Sequence, residues 1–266
     1  MNLWTEASID FARNKNYLDE LYKIYPIIPG NHRQIDPKLW QKVRKAFEDK
    51  DNVSLVSELL KLEIFPIKDS YIAFLRKDHD SISRNPNTID RIAGNLFQLG
   101  IEDIEQKCTE PKETNRQIGP MFKNWIKKGI IGVDIYEETQ QFISCKSNCI
   151  LNGSDKMMQE FAWRYLGYRR DKGIDFIAKF NNKYILAETK FLTDFGGHQD
   201  AQFNDALETL NCDYSKKIVQ NEVIPIAILD GVLYLDKNQK MCSYLKNNPE
   251  KLIMSALVLR EYLYSC

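Results

Sequence analysis

The sequence of 266 residues has no apolar run long enough to cross a bilayer. A helical membrane protein is therefore excluded, and no membrane partner is expected. There is no surplus of charge of either sign: 37 Lys and Arg stand against 37 Asp and Glu. That balance leaves a nucleic-acid partner open, but any basic surface must be local, with the acids held elsewhere. Cysteine is sparse at six residues, and none forms a C-x-x-C pair. Cys145 and Cys149 are separated by Lys146-Ser147-Asn148, and no His follows at ligand spacing, which argues against a structural zinc site. The opening Met1-Asn2-Leu3-Trp4-Thr5-Glu6 carries a charge where a signal peptide needs an apolar stretch. A cytoplasmic protein with buried or free thiols is expected. Internal repeats and low-complexity linkers are also missing.

What is present is a chain with 43% hydrophobic residues, enough for one good-sized core or for a catalytic core plus a smaller helical part. The first half carries apolar residues at helical spacing. One helix is expected from Leu3 to Tyr25, stopped by Pro26 and Pro29-Gly30. Asp36-Pro37 opens a second, through Trp40, Val43 and Phe47. Val53 to Leu62 and Ser70 to Leu75 continue in the same manner, and Asn85-Pro86 caps a helix with Ile89, Ile92, Ala93 and Leu96 on one face. Cys108 to Gly119 is polar and reads as a loop, and Pro120 starts a further helix, with Lys123, Lys127 and Lys128 on its wet side.

The period changes in the second half. Phe142-Ile143 suggests a short strand, and Ser154 or Asp155 caps a helix running to about Tyr165. Two strands follow, Ile174 to Phe180 and Tyr184 to Phe191, joined at Asn181-Asn182. Beyond the Gly196-Gly197 break come a helix with Phe203, Ala206, Leu207 and Leu210 on one face, a buried strand Val223 to Leu229, a short strand Val232 to Leu235, and a last helix opened by Pro249. The expected organisation is an α/β fold, with a mainly helical N-terminal region over residues 1–130 and a core over residues 131–266 built on a mixed central β-sheet flanked by helices.

The hairpin carries the chemistry. Asn-Asn suits a two-residue turn because Asn tolerates positive φ. Closing the turn there sets Phe180 against Lys183 and, counting back, Asp175 against Glu188. Side chains directly opposed on one face sit about 5 Å apart at Cβ. Strand period two puts Lys190 on the face of Glu188 and Thr189 on the other. Two carboxylates facing each other repel, and a divalent cation between them reverses the sign; magnesium takes hard oxygen ligands of this kind. With an ammonium beside it, the assembly suits in-line attack of metal-activated water on a phosphodiester. The alternative is an exposed hairpin whose Lys190 neutralises two surface acids. Phe176, Ile177, Ile185, Ala187 and Phe191 favour core strands, where an unpaired acid pair is costly.

Gly173-Ile174-Asp175 followed by Ala187-Glu188-Thr189-Lys190 resembles the PD-(D/E)xK nuclease signature, with Ile174 where proline is usual. The longer run from Glu188 to Gln199 resembles the type II restriction endonucleases in particular, as do Leu151 to Lys156 and, more loosely, Asn115 to Phe122. The resemblance implies a restriction-endonuclease-like fold and a homodimer that cuts double-stranded DNA at a specific site with Mg2+. It implies that Asp175 and Glu188 ligate the metal and that Lys190 positions the attacking water. Family members often add a glutamate from the helix before the hairpin, and Glu160 is the candidate; otherwise Glu160 is a surface residue paired with Arg164 one turn on.

For DNA contact the candidates are Gly196 and Gly197, whose backbone can approach phosphate closely, and His198, Gln199 and Gln202 at the next helix start. Arg169, Arg170 and Lys172 are candidates for phosphate contact beside the hairpin. A plain amphipathic helix with a polar start is the other reading of 198–202. A repair or junction-resolving nuclease, or a non-catalytic DNA-binding module on the same fold, are the alternatives to a restriction enzyme.

Overall fold

A computed structural model describes residues 1–26, 33–110, 117–235 and 240–266. By packing, the chain divides into two compact units, Met1–Ile27 with Glu113–Cys266, and Ile28–Lys112. This partition differs from a boundary near residue 130 because the helices Leu3–Asn14 (α1), Tyr17–Ile24 (α2) and Ile118–Lys127 (α9) pack with the sheet.

The smaller unit is all helix: Pro37–Glu48 (α3), Asn52–Leu60 (α4), Ile72–Lys77 (α5), Ser81–Arg84 (α6), Pro86–Leu99 (α7) and Ile101–Thr109 (α8). Asp36 caps α3 by accepting from the Lys38 N–H, and Pro37 takes the first helical position, where a missing N–H costs nothing. Val43, Leu55, Val56, Leu59, Ile89, Ile92 and Leu96 form a core of their own.

The larger unit carries a six-stranded sheet in the order Asp134–Tyr136 (β1), Cys149–Leu151 (β2), Phe176–Phe180 (β3), Lys183–Leu192 (β4), Val223–Gly231 (β5) and Ile253–Met254 (β6). The pairs β1–β2, β4–β5 and β5–β6 are parallel, and β2–β3 and β3–β4 antiparallel. This is the expected α/β fold, a mixed central sheet with helices around it. The remaining helices are Thr139–Ser144 (α10), Asp155–Phe161 (α11), Gly197–Leu210 (α12), Lys240–Asn247 (α13) and Leu259–Ser265 (α14). No helix among the described residues is long and apolar enough to cross a membrane.

Residues of β3 alternate between two apolar layers, as strand period two requires. Phe176, Ala178 and Phe180 join a cluster with Phe122 of α9, while Ile177 joins Phe142, Met158 and Phe161 on the other side. Covered on both faces, β3 and β4 are central strands, so their polar residues are inside the protein.

Several local expectations change. The first helix breaks at Lys15-Asn16 into α1 and α2. Cys108 lies in α8 and not in a loop. Phe142 sits in α10, and the strand there is Cys149–Leu151. Val232–Tyr234 is a turn of 3-10 helix. The last helix begins at Leu259, since Ile253–Met254 is taken up as the sheet edge. The strand–helix exchanges at α10, β2 and Val232–Tyr234 are segments of three to six residues, too short for apolar spacing to separate strand from helix. Pro29-Gly30 and Asn115-Arg116 lie outside the described residues.

Candidate active site

The β3–β4 turn has the expected form. Asn181 and Asn182 both take positive φ, 46° and 65°, as a type I′ turn demands. Phe180 pairs with Lys183, and the ladder continues to Phe176 opposite Ala187. Asp175, just before β3, gives its N–H to the Ala187 carbonyl at 3.1 Å, so the paired register ends at Phe176–Ala187 and Asp175 lies at the end of the ladder, close enough to Glu188 for their charges to interact. Its Oδ2 accepts from the Thr189 N–H at 2.8 Å. Asp175, Glu188 and Lys190 therefore converge on one patch at the end of the hairpin.

Glu188 is 1% exposed. Its Oε1 accepts from Lys172 at 2.5 Å and from Lys190, whereas its Oε2 is buried without a hydrogen-bond partner. Burial pushes the Asp175 carboxyl up, the Glu188 charge pushes it further, and the Thr189 N–H and the charges of Lys190 and Lys123 only partly oppose them, leaving it at about 6. Burial pulls the Lys190 ammonium down, but the Glu188, Asp175 and Asp205 carboxylates outweigh it and hold Lys190 above the usual lysine range.

The start of α9 closes over this patch. A Cβ added at Gly119 would stand 3.2 Å from Asp175 Oδ1, so glycine lets the backbone reach the carboxylate. Lys123 of the same helix was expected on the solvated face, but it is mostly buried and paired with Asp155, because α9 turns that face to the site.

Two residues near the hairpin join the cluster in a way the spacing did not indicate. Asp205 of α12 accepts from Lys172 and lies 3.6 Å from Lys190. Arg170 donates to Asp205 Oδ1 at 2.7 Å and to Glu208 at 2.7 Å. Burial raises the Asp205 carboxyl, but the hydrogen bonds from Lys172 and Arg170 prevail and hold it below the ordinary value. Arg170 and Lys172, expected to meet phosphate, are engaged with these acids. No local pattern links a base before the hairpin to an acid in the following helix, so Asp205 escapes a reading by spacing.

The other candidates are dispersed. Glu160 is 67% exposed on its side chain, 3.9 Å from Lys156, and is not paired with Arg164. It lines a groove of about 930 Å³ together with Trp163, Arg164 and Arg169, and neither Asp175 nor Glu188 borders that groove. Arg169 donates to the Trp163 carbonyl at 2.7 Å and stacks over its ring. Gln199 is buried and accepts from the Thr193 N–H at 3.1 Å, which closes the bend before α12. Gly196 and Gly197, at φ 91° and 51°, and His198 stand exposed at the start of α12, and half-buried Gln202 lies 2.9 Å from His198.

The residues fit a divalent cation. Glu188 has a free buried oxygen, and Asp175 is raised toward neutrality by a neighbouring carboxylate; both conditions are relieved by a hard cation. Among the described residues no group of three or more His, Cys, Asp and Glu is disposed to hold a metal, so a cation on the two carboxylates would complete its shell with main-chain carbonyl, water or phosphate oxygens.

A mixed six-stranded sheet flanked by helices is the architecture of the restriction-endonuclease-like α/β class. The sequence model of the Tsp45I type II restriction enzyme family matches residues 2–266, and the chain belongs to that family. It is accordingly a site-specific DNA endonuclease. No curated protein and no solved structure matches the chain.

Proposed function

We propose that the chain cuts both strands of its DNA site with Asp175 and Glu188 holding magnesium and Lys190 orienting the attacking water. The observation that carries this reading is Glu188 Oε2, a buried carboxylate oxygen without a partner beside a second carboxylate. A buried polar atom left unpaired is costly, and one on an acid calls for a cation. Magnesium held there would supply a water of lowered pKa and offset charge on the phosphate. The residues around it bind and orient. Thr189 fixes one oxygen of Asp175 through its N–H, and Lys190 sets its ammonium against the other acid. Glu160, apart from the pair, has no role in this reading.

Gly196, Gly197 and His198 are the DNA contacts proposed here, because they follow the catalytic strand and are exposed, with half-buried Gln202 beside His198. Arg169 also presents a free edge to a backbone, whereas Gln199, Arg170 and Lys172 are occupied by internal partners. A homodimer suits the reaction, since a twofold protein matches a palindromic site. The helical unit Ile28–Lys112 would serve DNA binding or dimerisation, and the sheet-bearing unit the cutting, in the cytoplasm.

The test is plasmid cleavage with magnesium by the wild type, Asp175→Ala and Glu188→Ala. Discrete bands are expected from the wild type and none from either variant, with DNA binding retained, because each substitution removes a metal ligand and no phosphate contact. Near-normal cutting by either variant refutes the assignment.

A further inference from the structure

We propose that Asp205 of α12 is a positioning residue for cleavage: it balances Lys172 and Lys190 so that Lys190 keeps its place and Glu188 keeps an oxygen free. The inference rests on the reading of Asp175, Glu188 and Lys190 given above.

Two ammonium groups, Lys172 and Lys190, meet one oxygen, Glu188 Oε1. Taken alone, two cations on one buried anion carry a net positive charge and repel each other. Asp205 supplies the second anion. Its carboxylate accepts from Lys172 and stands 3.6 Å from Lys190, so each ammonium faces a carboxylate besides Glu188. Like charges placed this close are tolerated only with such compensation.

Asp205 is itself immobilised. Arg170 Nη2 donates to its Oδ1 at 2.7 Å, and Arg170 Nη1 donates to its backbone carbonyl at 2.8 Å and to Thr209 Oγ1 at 2.8 Å. One guanidinium thus grips both the main chain and the side chain of the same residue, which leaves the carboxylate a single orientation. A residue merely decorating the helix would not need this clamp. Because both Lys172 and Lys190 divide their charge between Asp205 and Glu188, Glu188 Oε2 stays unpartnered and available to a cation.

Asp205→Asn keeps the shape and removes the charge. Lys172 then relies on Glu188 alone, and Lys190 on Glu188 and the more distant Asp175 charge. Lys190 should lose its position and the cation should meet stronger competition. With enzyme in excess over a plasmid that the wild type cuts into discrete bands, cleavage should slow about 10- to 100-fold. Affinity for a duplex spanning a mapped cut should stay within about threefold of the wild type. Calcium titrated into the protein without DNA should bind about five- to tenfold more weakly, a readout independent of cutting.

Lys172→Met supplies the second arm. Once Lys172 is gone, the charge that Asp205 balances is largely gone, so Asp205→Asn in that background should cost several-fold less than it costs alone. The Lys172→Met/Asp205→Asn pair also serves if Asp205→Asn by itself does not fold. Additive losses in the double variant, or an Asp205→Asn protein within about threefold of wild type in cleavage and calcium binding, overturn the proposal. Glu188→Gln is the control: if it is inactive in the same assays while Asp205→Asn is normal, only the role of Asp205 fails. If Glu188→Gln cuts normally, the site itself is misassigned and the role of Asp205 falls with it.

Discussion

Asn in place of Asp175 should make the metal-free protein more stable at neutral pH while abolishing cleavage. Asp175 is disfavoured as an anion by burial first and by the Glu188 charge second, and its carboxyl titrates at about 6 in the fold against an ordinary 3.8. The sign follows from linkage. Below 3.8 the carboxyl is protonated in both folded and unfolded chains, and there is no penalty. Between 3.8 and about 6 the unfolded chain releases its proton first, so stability falls as pH rises. Above that window the folded chain carries the full cost. A displacement of that size corresponds to about 1–3 kcal/mol, its lower part covering the share that Glu188 and Lys190 take of the interaction. The carboxamide oxygen of Asn can still accept from the Thr189 N–H, so that hydrogen bond is retained. Urea unfolding in EDTA measures the difference. The variant's midpoint should exceed the wild type's at pH 8, and the two should converge near pH 4. Calcium at about a hundred times its dissociation constant should return about 2.7 kcal/mol to the wild type and little to Asp175→Asn. Equal midpoints at pH 8 in EDTA would refute the view that Asp175 is held against its preference for solvent.

Lys190→Met keeps the stem's packing and removes the ammonium, so DNA and metal should bind nearly normally while single-turnover cleavage falls about a hundredfold or more; a loss below about threefold would make Lys190 a structural partner only. Asp230, at the end of β5, is fully buried and accepts from the hydroxyls of Tyr17, Tyr25 and Ser255 and from the Ala256 N–H. Asp230→Ala strands these donors and should cost about 3–5 kcal/mol in urea unfolding, loosening α2 from the sheet; a cost below about 1 kcal/mol would show that the cluster re-pairs with water.

The hairpin was legible from the sequence because its information is local. Two adjacent asparagines specify a turn that needs positive φ twice, which sets the register from Phe180–Lys183 to Phe176–Ala187 and leaves Asp175 at its end near Glu188, while strand period two puts Lys190 on the face of Glu188. The helices α3 and α7 were legible for the same reason, each opening with proline after a polar residue. What the chain could not announce was which distant side chains complete the cluster. Asp205 lies 33 positions from Lys172 and reaches it only because α12 packs back over β4 and β5. Lys123 reads as one lysine of a wet helix face until α9 is seen to turn it inward beside Asp155. Gln199 and Arg170 read as free donors until the fold supplies their partners. Glu160 satisfies the spacing of a third ligand, yet the segment after it, Ala162–Leu166, adopts a π-helical turn and the carboxylate lines a separate groove. Backbone geometry within a hairpin depends on neighbours a few residues apart, which the sequence states outright. Pairing between charged side chains depends on how helices rotate when their apolar faces are buried, and that is decided by the whole core at once.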